Sequence, residues 1–166
     1  MNNICITGFM SSGKTVVSKE LAKLSGRVVI DTDEMIEKEL NMKINDIFSR
    51  FGEEYFRQQE TRILEMALEA DDAIISTGGG IVLSEYNRKI MRRNGVIVAI
   101  IPDFSVIESR IITARETRPL LREENDKIKK RFFDRLPLYR DCDVEVNPDI
   151  GDTPTEIAEY ILERIK

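Results

Sequence analysis

The stretch from Gly8 to Thr15 reads Gly-Phe-Met-Ser-Ser-Gly-Lys-Thr, which has the spacing of a phosphate-binding P-loop. An apolar run over residues 4–7 precedes it and predicts a buried strand, and residues 16–24 have the apolar periodicity of a helix. In that setting the glycines let backbone N–H groups turn toward phosphates, and the helix N-terminus attracts the same negative charge. The stretch therefore predicts a nucleotide site. A chance glycine-rich turn is the alternative, and the flanking strand and helix disfavour it.

The P-loop assigns nucleotide contacts to a definite set of residues. Lys14 is expected on the β- and γ-phosphates of ATP, and the Thr15 hydroxyl on Mg²⁺. The ATP contacts predicted within the loop are Gly8, Ser11, Ser12, Gly13, Lys14 and Thr15.

The composition fits one domain spanning residues 1–166. The chain carries 25 basic and 30 acidic side chains, a net charge of −5, so we expect neither nucleic acid nor an anionic membrane as a partner. No apolar stretch reaches the ~20 residues of a membrane span, and we expect no signal peptide. Cys5 and Cys142 lack metal-ligand spacing and are expected to be reduced in the cytoplasm. Histidine is absent, which leaves carboxylates for proton transfer.

Short β-rich segments alternate with amphipathic helices, a pattern typical of an α/β fold with a parallel sheet. Strands are predicted at Asn3–Thr7, Val28–Asp31, Ala73–Ser76, Val96–Ile100 and Val144–Val146. Helices are predicted at about Lys14–Leu24, Asp33–Glu39, Ile44–Phe51, Glu53–Glu69, Glu85–Arg93, Ser105–Ile112, Asp126–Arg140 and Pro154–Ile165. Ligands of such a sheet gather at the carboxyl ends of its strands.

Polar or glycine-rich segments follow the second and third predicted strands. Asp31-Thr32-Asp33 places two carboxylates near the P-loop, one suited to Mg²⁺ and the other to a phosphate acceptor; ordinary capping of the next helix is the alternative. Gly78-Gly79-Gly80 has no side chains, so that a small ligand can approach the backbone. A plain flexible turn explains three glycines less well, because ordering each costs roughly 0.5–1 kcal/mol more than ordering alanine.

Arginines occur at several positions outside the predicted core. Arg115, Arg118 and Arg122 lie in a polar stretch that suits a lid closing over phosphate, with a solvated loop as the alternative. Arg57 and Arg135, each taken alone, are best explained as surface charges on amphipathic helices.

Taken together and in this order, the motifs closely resemble those of shikimate kinase, a member of the nucleoside-monophosphate-kinase-like P-loop proteins. The set consists of the P-loop, Asp31-Thr32-Asp33, Phe56-Arg57 with Glu60, the triple glycine, Arg118-Pro119-Leu120-Leu121 and Arg135-Leu136-Pro137-Leu138-Tyr139. The resemblance runs from Gly8 to Pro154. It implies a P-loop kinase fold built as a three-layer α/β sandwich around a five-stranded parallel sheet, active as a monomer. It also implies a substrate-binding region at about 33–62 and a mobile lid at about 113–124.

The resemblance further implies that ATP donates its γ-phosphate to the 3-hydroxyl of shikimate, with Mg²⁺ as cofactor, in aromatic amino-acid biosynthesis. Guanidinium groups match a carboxylate well, so Arg57 and Arg135 would bind that of the substrate, with Glu60 fixing Arg57 as an i,i+3 pair. Asp33 would orient or deprotonate the attacking hydroxyl. The implied assignments are catalysis by Lys14, Asp33 and Arg118; shikimate contacts from Asp33, Arg57, Gly78, Gly79, Gly80 and Arg135; and metal contacts from Thr15 and Asp31.

Three details depart from the family pattern or stay open. Ser11 stands where many members have glycine, which bears on the torsions of the loop. Either Arg110 or Arg115 corresponds to the arginine that stacks on adenine, and we assign Arg110 to ATP together with Arg118. Pro154 is expected to contact adenine, although its segment is also an ordinary strand-to-helix turn.

Rival functions make different demands on the sequence. A gluconate or nucleotide kinase of the same fold should lack paired substrate arginines around a triple glycine. A GTPase switch is disfavoured because no Asp-x-x-Gly follows the third strand and no Asn-Lys-x-Asp occurs. A catalytically silent nucleotide-binding module would have lost Lys14, Asp33 or the lid arginines, which are all present.

Overall fold

The computed structural model describes residues 2–114, 122–149 and 151–166. Its centre is a sheet formed by β1 (Asn3–Thr7), β2 (Val29–Asp31), β3 (Ile74–Ser76), β4 (Gly95–Ile100) and β5 (Val144–Val146). Within the described ranges these five strands are all parallel, in the order β2-β3-β1-β4-β5. The predicted five-stranded parallel sheet is confirmed, and each predicted strand agrees within one residue at either end.

The described helices are α1 (Lys14–Ser25), α2 (Thr32–Leu40), α3 (Ile44–Leu68), α4 (Glu85–Asn94), α5 (Phe104–Ala114), α6 (Arg122–Tyr139) and α7 (Pro154–Arg164). The two helices predicted over residues 44–69 are the halves of α3, which is interrupted at Gly52 by a φ of 83° and a ψ of 173°. α6 begins at Arg122 rather than at residue 126, because arginine and glutamate favour a helix without adding apolar periodicity. A 3-10 turn at Ile81–Leu83, after the triple glycine, was not predicted.

Helices cover both faces of the sheet. Ile4 and Ile6 of β1 pack on one face with Leu21 of α1 and Ile161 of α7. Cys5, between them, points to the other face and joins a core to which α3, α4, α5 and α6 contribute. Because side chains alternate along a strand, the two cores lie on opposite faces of β1. The predicted three-layer sandwich is confirmed.

The strand order places the segments of interest side by side. β1 is central, so the P-loop leaves the sheet between the ends of β3 and β4. The segments after β2 and β3 emerge at the same carboxyl edge, which puts Asp31-Thr32-Asp33 and the triple glycine beside the P-loop. The predicted lid lies largely outside the described residues, since α5 ends at Ala114 and α6 begins at Arg122. No helix in the described ranges is long and apolar enough to span a bilayer.

Candidate active site

The P-loop depends on glycine at both of its ends. Gly8 has a φ of 153°, and a methyl group on its Cα would stand 2.6 Å from the carbonyl oxygen of Ile100 and 2.7 Å from Ser12 Oγ. Gly13, directly before α1, has a left-handed φ of 98°. A side chain at Gly8 would collide with the neighbouring strand end, and one at Gly13 would strain the backbone. The strand, loop and helix therefore meet as the motif predicts.

Ser11 adopts a conformation that glycine would adopt more readily. Its φ is 58°, in the left-handed region. Its carbonyl oxygen accepts a hydrogen bond of 3.0 Å from Nη1 of Arg110, which extends from α5. A cavity of about 480 Å³ at this point is lined by Ser11, Ser12, Gly13, Lys14, Thr15, Val16 and Arg110. Arg110 thus lies beside the P-loop, while Arg115 and Arg118 fall outside the described residues.

Lys14 is bound to its own loop. Its Nζ donates hydrogen bonds to the carbonyl oxygens of Gly8 at 2.8 Å and Phe9 at 2.9 Å. Burial lowers the pKa of Lys14 to about 8, although the charges of Asp33 and Asp31 act in the opposite direction. The ammonium group is therefore held in place but is easier to deprotonate than an exposed lysine.

Asp31 has a capping role as well as a place beside Thr15. Its Oδ1 accepts a hydrogen bond of 3.0 Å from the backbone N–H of Glu34, which makes Asp31 the N-cap of α2. Asp31 and Thr15 both line a cavity of about 130 Å³. A hydroxyl and a carboxylate oxygen are donors that suit Mg²⁺. The described residues contain no cluster of three or more acidic, cysteine or histidine side chains that could hold a metal without other ligands.

Asp33 is the most perturbed carboxylate of the site. Its Oδ1 is buried without a hydrogen-bond partner among the described residues. Burial raises the pKa of Asp33 to about 6, and the charge of Asp31 adds to this rise, while Lys14 and Arg57 oppose it. The carboxylate lies against Gly78, where a methyl group would stand 2.6 Å from Oδ1. The backbone N–H of Gly78 donates to Thr32 Oγ1 at 3.3 Å, which ties the ends of β2 and β3 together.

Arg57 is oriented by an acidic residue one turn later on α3. Its Nη1 donates to Glu60 Oε1 at 2.9 Å, so the predicted i,i+3 pair is confirmed. The guanidinium carbon lies 5.3 Å from the ring centre of Phe56 and 5.9 Å from that of Phe48. Glu60 is 1% exposed, and burial raises its pKa despite the opposing charge of Arg57. A methyl group on Gly80 would overlap the guanidinium, so this glycine gives Arg57 its room.

Arg135 reaches the same site from α6. Its charge, like that of Arg57, acts on both Glu60 and the Tyr139 hydroxyl. The two arginines, nearly 80 residues apart in sequence, therefore share neighbours. Tyr139 Oη donates a hydrogen bond of 2.6 Å to the carbonyl oxygen of Gly79.

Pro154 begins α7 and is not among the residues that line the P-loop cavity. Its neighbour Thr155 contacts α1 through a 3.4 Å hydrogen bond to Glu20 Oε2. The capping box that Thr153 forms with Glu156 confirms the predicted start of the helix. An adenine contact from Pro154 stays a prediction.

The comparisons with known proteins agree with this geometry. The family profile described as shikimate kinase matches residues 10–166. This chain belongs to the shikimate kinase family. A shikimate kinase of Caldicellulosiruptor bescii is 42% identical over 165 residues, which cover 98% of this chain and 94% of that relative. A shikimate kinase of Sulfurihydrogenibium sp. is 37% identical over 166 residues, covering 100% and 99%.

Solved structures give the same result. The shikimate kinase from Acinetobacter baumannii in complex with shikimate matches with a TM-score of 0.89 at 30% identity, covering 98% of this chain and 92% of that one. A gluconokinase from Sinorhizobium meliloti matches with a TM-score of 0.59 at 15% identity, covering 99% and 91%, which shows a shared fold alone.

Two residues near the predicted shikimate kinase site were not assigned from the sequence. Phe48 was treated as part of an amphipathic helix, yet it lies beside the Arg57 guanidinium. Tyr139 was quoted within the family motif without a role, yet it bonds to the triple glycine. Its signal was the spacing, because Tyr139 lies one helical turn after Arg135 and so shares its face.

Proposed function

We propose that this chain transfers the γ-phosphoryl group of ATP to the 3-hydroxyl of shikimate, giving shikimate 3-phosphate and ADP in aromatic amino-acid biosynthesis. The observation that carries the proposal is that Arg57 pairs with the buried Glu60 next to Asp33 and the triple glycine, and that the charge of Arg135 acts on the same Glu60. Two guanidinium groups suit an anionic acceptor, because their hydrogen bonds to a carboxylate are charge-assisted. A gluconate or nucleotide kinase would not need this pair.

The acceptor would lie between the arginines and Asp33. Arg57 and Arg135 would bind the shikimate carboxylate, and Gly78, Gly79 and Gly80 would let the ring approach the backbone. Asp33 would accept a hydrogen bond from the attacking hydroxyl. Its raised pKa, about 6, makes it a stronger base than an ordinary aspartate while keeping most of it ionised at neutral pH.

The nucleotide would occupy the cavity at the P-loop. Lys14 would exchange its hydrogen bonds to the Gly8 and Phe9 carbonyls for bonds to the β- and γ-phosphates, with Gly8, Ser11, Ser12 and Gly13 offering loop contacts. Arg110 would lie over the base side of the nucleotide, with Pro154 nearby. Arg118 of the lid would stabilise charge on the transferring phosphoryl group.

Thr15 and Asp31 are the residues that we expect to hold Mg²⁺ beside the phosphates, Asp31 through water while one of its oxygens caps α2. When bound, that ion offsets negative charge on the phosphate oxygens.

Turnover with different acceptors tests the proposal. We expect ADP release from Mg-ATP to require shikimate and to be absent with gluconate, AMP or no acceptor. ATP binding without shikimate turnover would refute the acceptor while leaving nucleotide binding intact.

Substitutions separate the two half-sites. Lys14→Met should reduce kcat strongly with the fold intact, as should Arg118→Ala. Arg57→Ala should mainly raise KM for shikimate, since it removes charge-assisted hydrogen bonds of roughly 1.5–3 kcal/mol each. Arg50→Ala, at an exposed position of the same helix, is the matched control and should behave as the wild type. Full activity in Lys14→Met would refute the P-loop assignment.

We also propose that the enzyme is a monomer in the cytoplasm with no nucleic-acid or membrane partner, in keeping with its net charge of −5. Light scattering during size-exclusion chromatography would test the monomer, since a dimer doubles the 19.1 kDa mass of the chain.

A further inference from the structure

Tyr139 is a buried hydroxyl-bearing residue at the end of α6. It is 1% exposed and stands among the largest fully buried side chains. Burying a hydroxyl is unfavourable unless it is hydrogen-bonded, so a phenylalanine would serve better if packing were its whole role. The Tyr139 hydroxyl donates to the Gly79 carbonyl oxygen at 2.6 Å, across 60 positions of sequence.

The residue that Tyr139 binds, Gly79, lies against the P-loop. A methyl group on Gly79 would stand 3.4 Å from the backbone nitrogen of Met10 and 3.6 Å from the carbonyl oxygen of Gly8. The Tyr139 ring also packs edge-on against Phe9, with ring centres 6.5 Å apart at 75°. Phe9 offers its carbonyl oxygen to Lys14 Nζ. One side chain therefore contacts both the triple glycine and the P-loop.

Arg135 completes the arrangement. It lies four residues before Tyr139 on α6, so the two side chains share one face of the helix. The charge of Arg135 acts on the tyrosine hydroxyl, whose oxygen can accept from a guanidinium group while its proton goes to Gly79.

We propose that Tyr139 is a positioning residue whose hydroxyl fixes Arg135 relative to the backbone of Gly79, and so aligns the acceptor-binding groups with the P-loop. The proposal rests on the function proposed above. Tyr139 does not contact the reacting atoms in this scheme and takes no part in proton transfer. Its effect reaches the acceptor through Arg135 and Gly79.

Tyr139→Phe tests this, because it removes the hydroxyl and keeps the ring. We expect KM and Kd for shikimate to rise roughly three- to tenfold, the effect of one lost hydrogen bond, while KM for ATP changes by less than about twofold. Combining it with Arg135→Ala should give less than the product of the two separate effects, since the tyrosine acts through that arginine. Unchanged shikimate constants, or equal effects on both substrates, would overturn the proposal.

Two further variants of the enzyme serve as controls. Tyr86→Phe removes a hydroxyl that donates to Glu65 on the surface, away from the site, and should leave both KM values unchanged. Site-specific p-aminophenylalanine at position 139 restores a donor toward Gly79 and should recover at least half of the lost shikimate affinity; no recovery would contradict the role of the hydroxyl. The p-aminophenylalanine variant also provides the test if Tyr139→Phe fails to fold.

The outcome can be separated from failure of the proposed function. Wild-type enzyme that turns over shikimate establishes the reaction, and only the variants then bear on Tyr139. Wild-type enzyme without shikimate turnover overturns both.

Discussion

Gly78 and the Asp33 carboxylate are in direct contact: a methyl group on the glycine would stand 2.6 Å from Asp33 Oδ1 and 3.1 Å from Oδ2. The third-strand glycines therefore do more than expose backbone, because Gly78 makes room for the proposed base and Gly80 for Arg57. Each of the three glycines therefore has a different neighbour: the Asp33 carboxylate beside Gly78, the P-loop beside Gly79 and the Arg57 guanidinium beside Gly80.

Gly78→Ala should displace the Asp33 carboxylate and lower kcat for shikimate phosphorylation by roughly 10- to 100-fold, the scale expected for a misplacement of about 1 Å. Steady-state kinetics with saturating shikimate would measure it. Gly79→Ala is the matched comparison, because its methyl group would have no neighbour closer than 3.4 Å. The loss should be smaller there, and equal losses in the two variants would count against a specific contact with Asp33.

Activity should fall in acid as Asp33 becomes protonated. Its pKa is raised to about 6, mainly by burial, so kcat/KM for shikimate should decrease below that pH with a single apparent pKa near it. A pH–rate profile between pH 5 and 8.5, with a denaturation control at each pH, would show this. A profile that stays flat down to pH 5 would argue against ionised Asp33 as the required form.

The raised pKa of Asp33 also predicts that its ionised form, which activity requires, lowers the stability of the fold. Because burial raises the pKa of Asp33 in the folded state from an ordinary 3.8 to about 6, its ionised form destabilises the fold above that range. Asp33→Asn should raise the free energy of unfolding at pH 7.5 by roughly 1–2 kcal/mol, and the gain should shrink as the pH falls from about 6 to 4. Urea denaturation at several pH values would test it; an inactive variant without any gain would contradict the assignment of burial as the cause.

ATP binding should take up protons at alkaline pH. The pKa of Lys14 is lowered to about 8 in the free protein, and phosphate oxygens favour the charged ammonium, so binding at pH 8.5 should protonate the lysine. Titration calorimetry in two buffers of different ionisation enthalpy measures this uptake. Lys14→Met should show none of it, and buffer-independent heats for the wild type would refute the prediction.

Ser11→Gly should stabilise the protein. The left-handed φ of Ser11, 58°, costs a residue with a Cβ of the order of 1 kcal/mol, which glycine avoids at the expense of some backbone entropy. We expect the free energy of unfolding to rise by about 0.5 kcal/mol, and Ser11→Val to lower it by about 1 kcal/mol or more. Thermal unfolding of the two variants should therefore shift in opposite directions, and a shift in the same direction would show that φ does not govern stability here.

Local patterns predicted much of the fold and part of the site. The P-loop and the alternation of strands and helices depend on neighbouring residues, and so does the pair of Arg57 with Glu60, three positions away. The residues alone left Asp31 open between capping and metal binding, and the resemblance assigned it to Mg²⁺. The structure shows that one of its oxygens caps α2, and the metal contact stays a prediction. The placement of Asp31 beside Thr15 depends on which strands are neighbours.

Contacts across the sheet were beyond local patterns. The hydrogen bond from Tyr139 to Gly79 joins residues 60 positions apart, and no periodic sequence pattern predicts it. Any side chain at position 78 would overlap Asp33, because the ends of β2 and β3 lie side by side. That arrangement follows from the strand order β2-β3-β1-β4-β5. The start of α6 was missed because charged helix formers carry no core-facing signal.

The central position of β1 has a consequence for how the protein folds during synthesis. β1 is made before the other described strands, but Ile4 pairs with Ile74 on one side and with Val96 on the other. One edge of this apolar strand stays unpaired until β3 has been made, and the other until β4, which ends at Ile100, has been made. This delay favours slow folding and exposes an aggregation-prone edge in the meantime. A nascent chain that stalls before β4 should therefore depend on chaperones more than one that stalls after it.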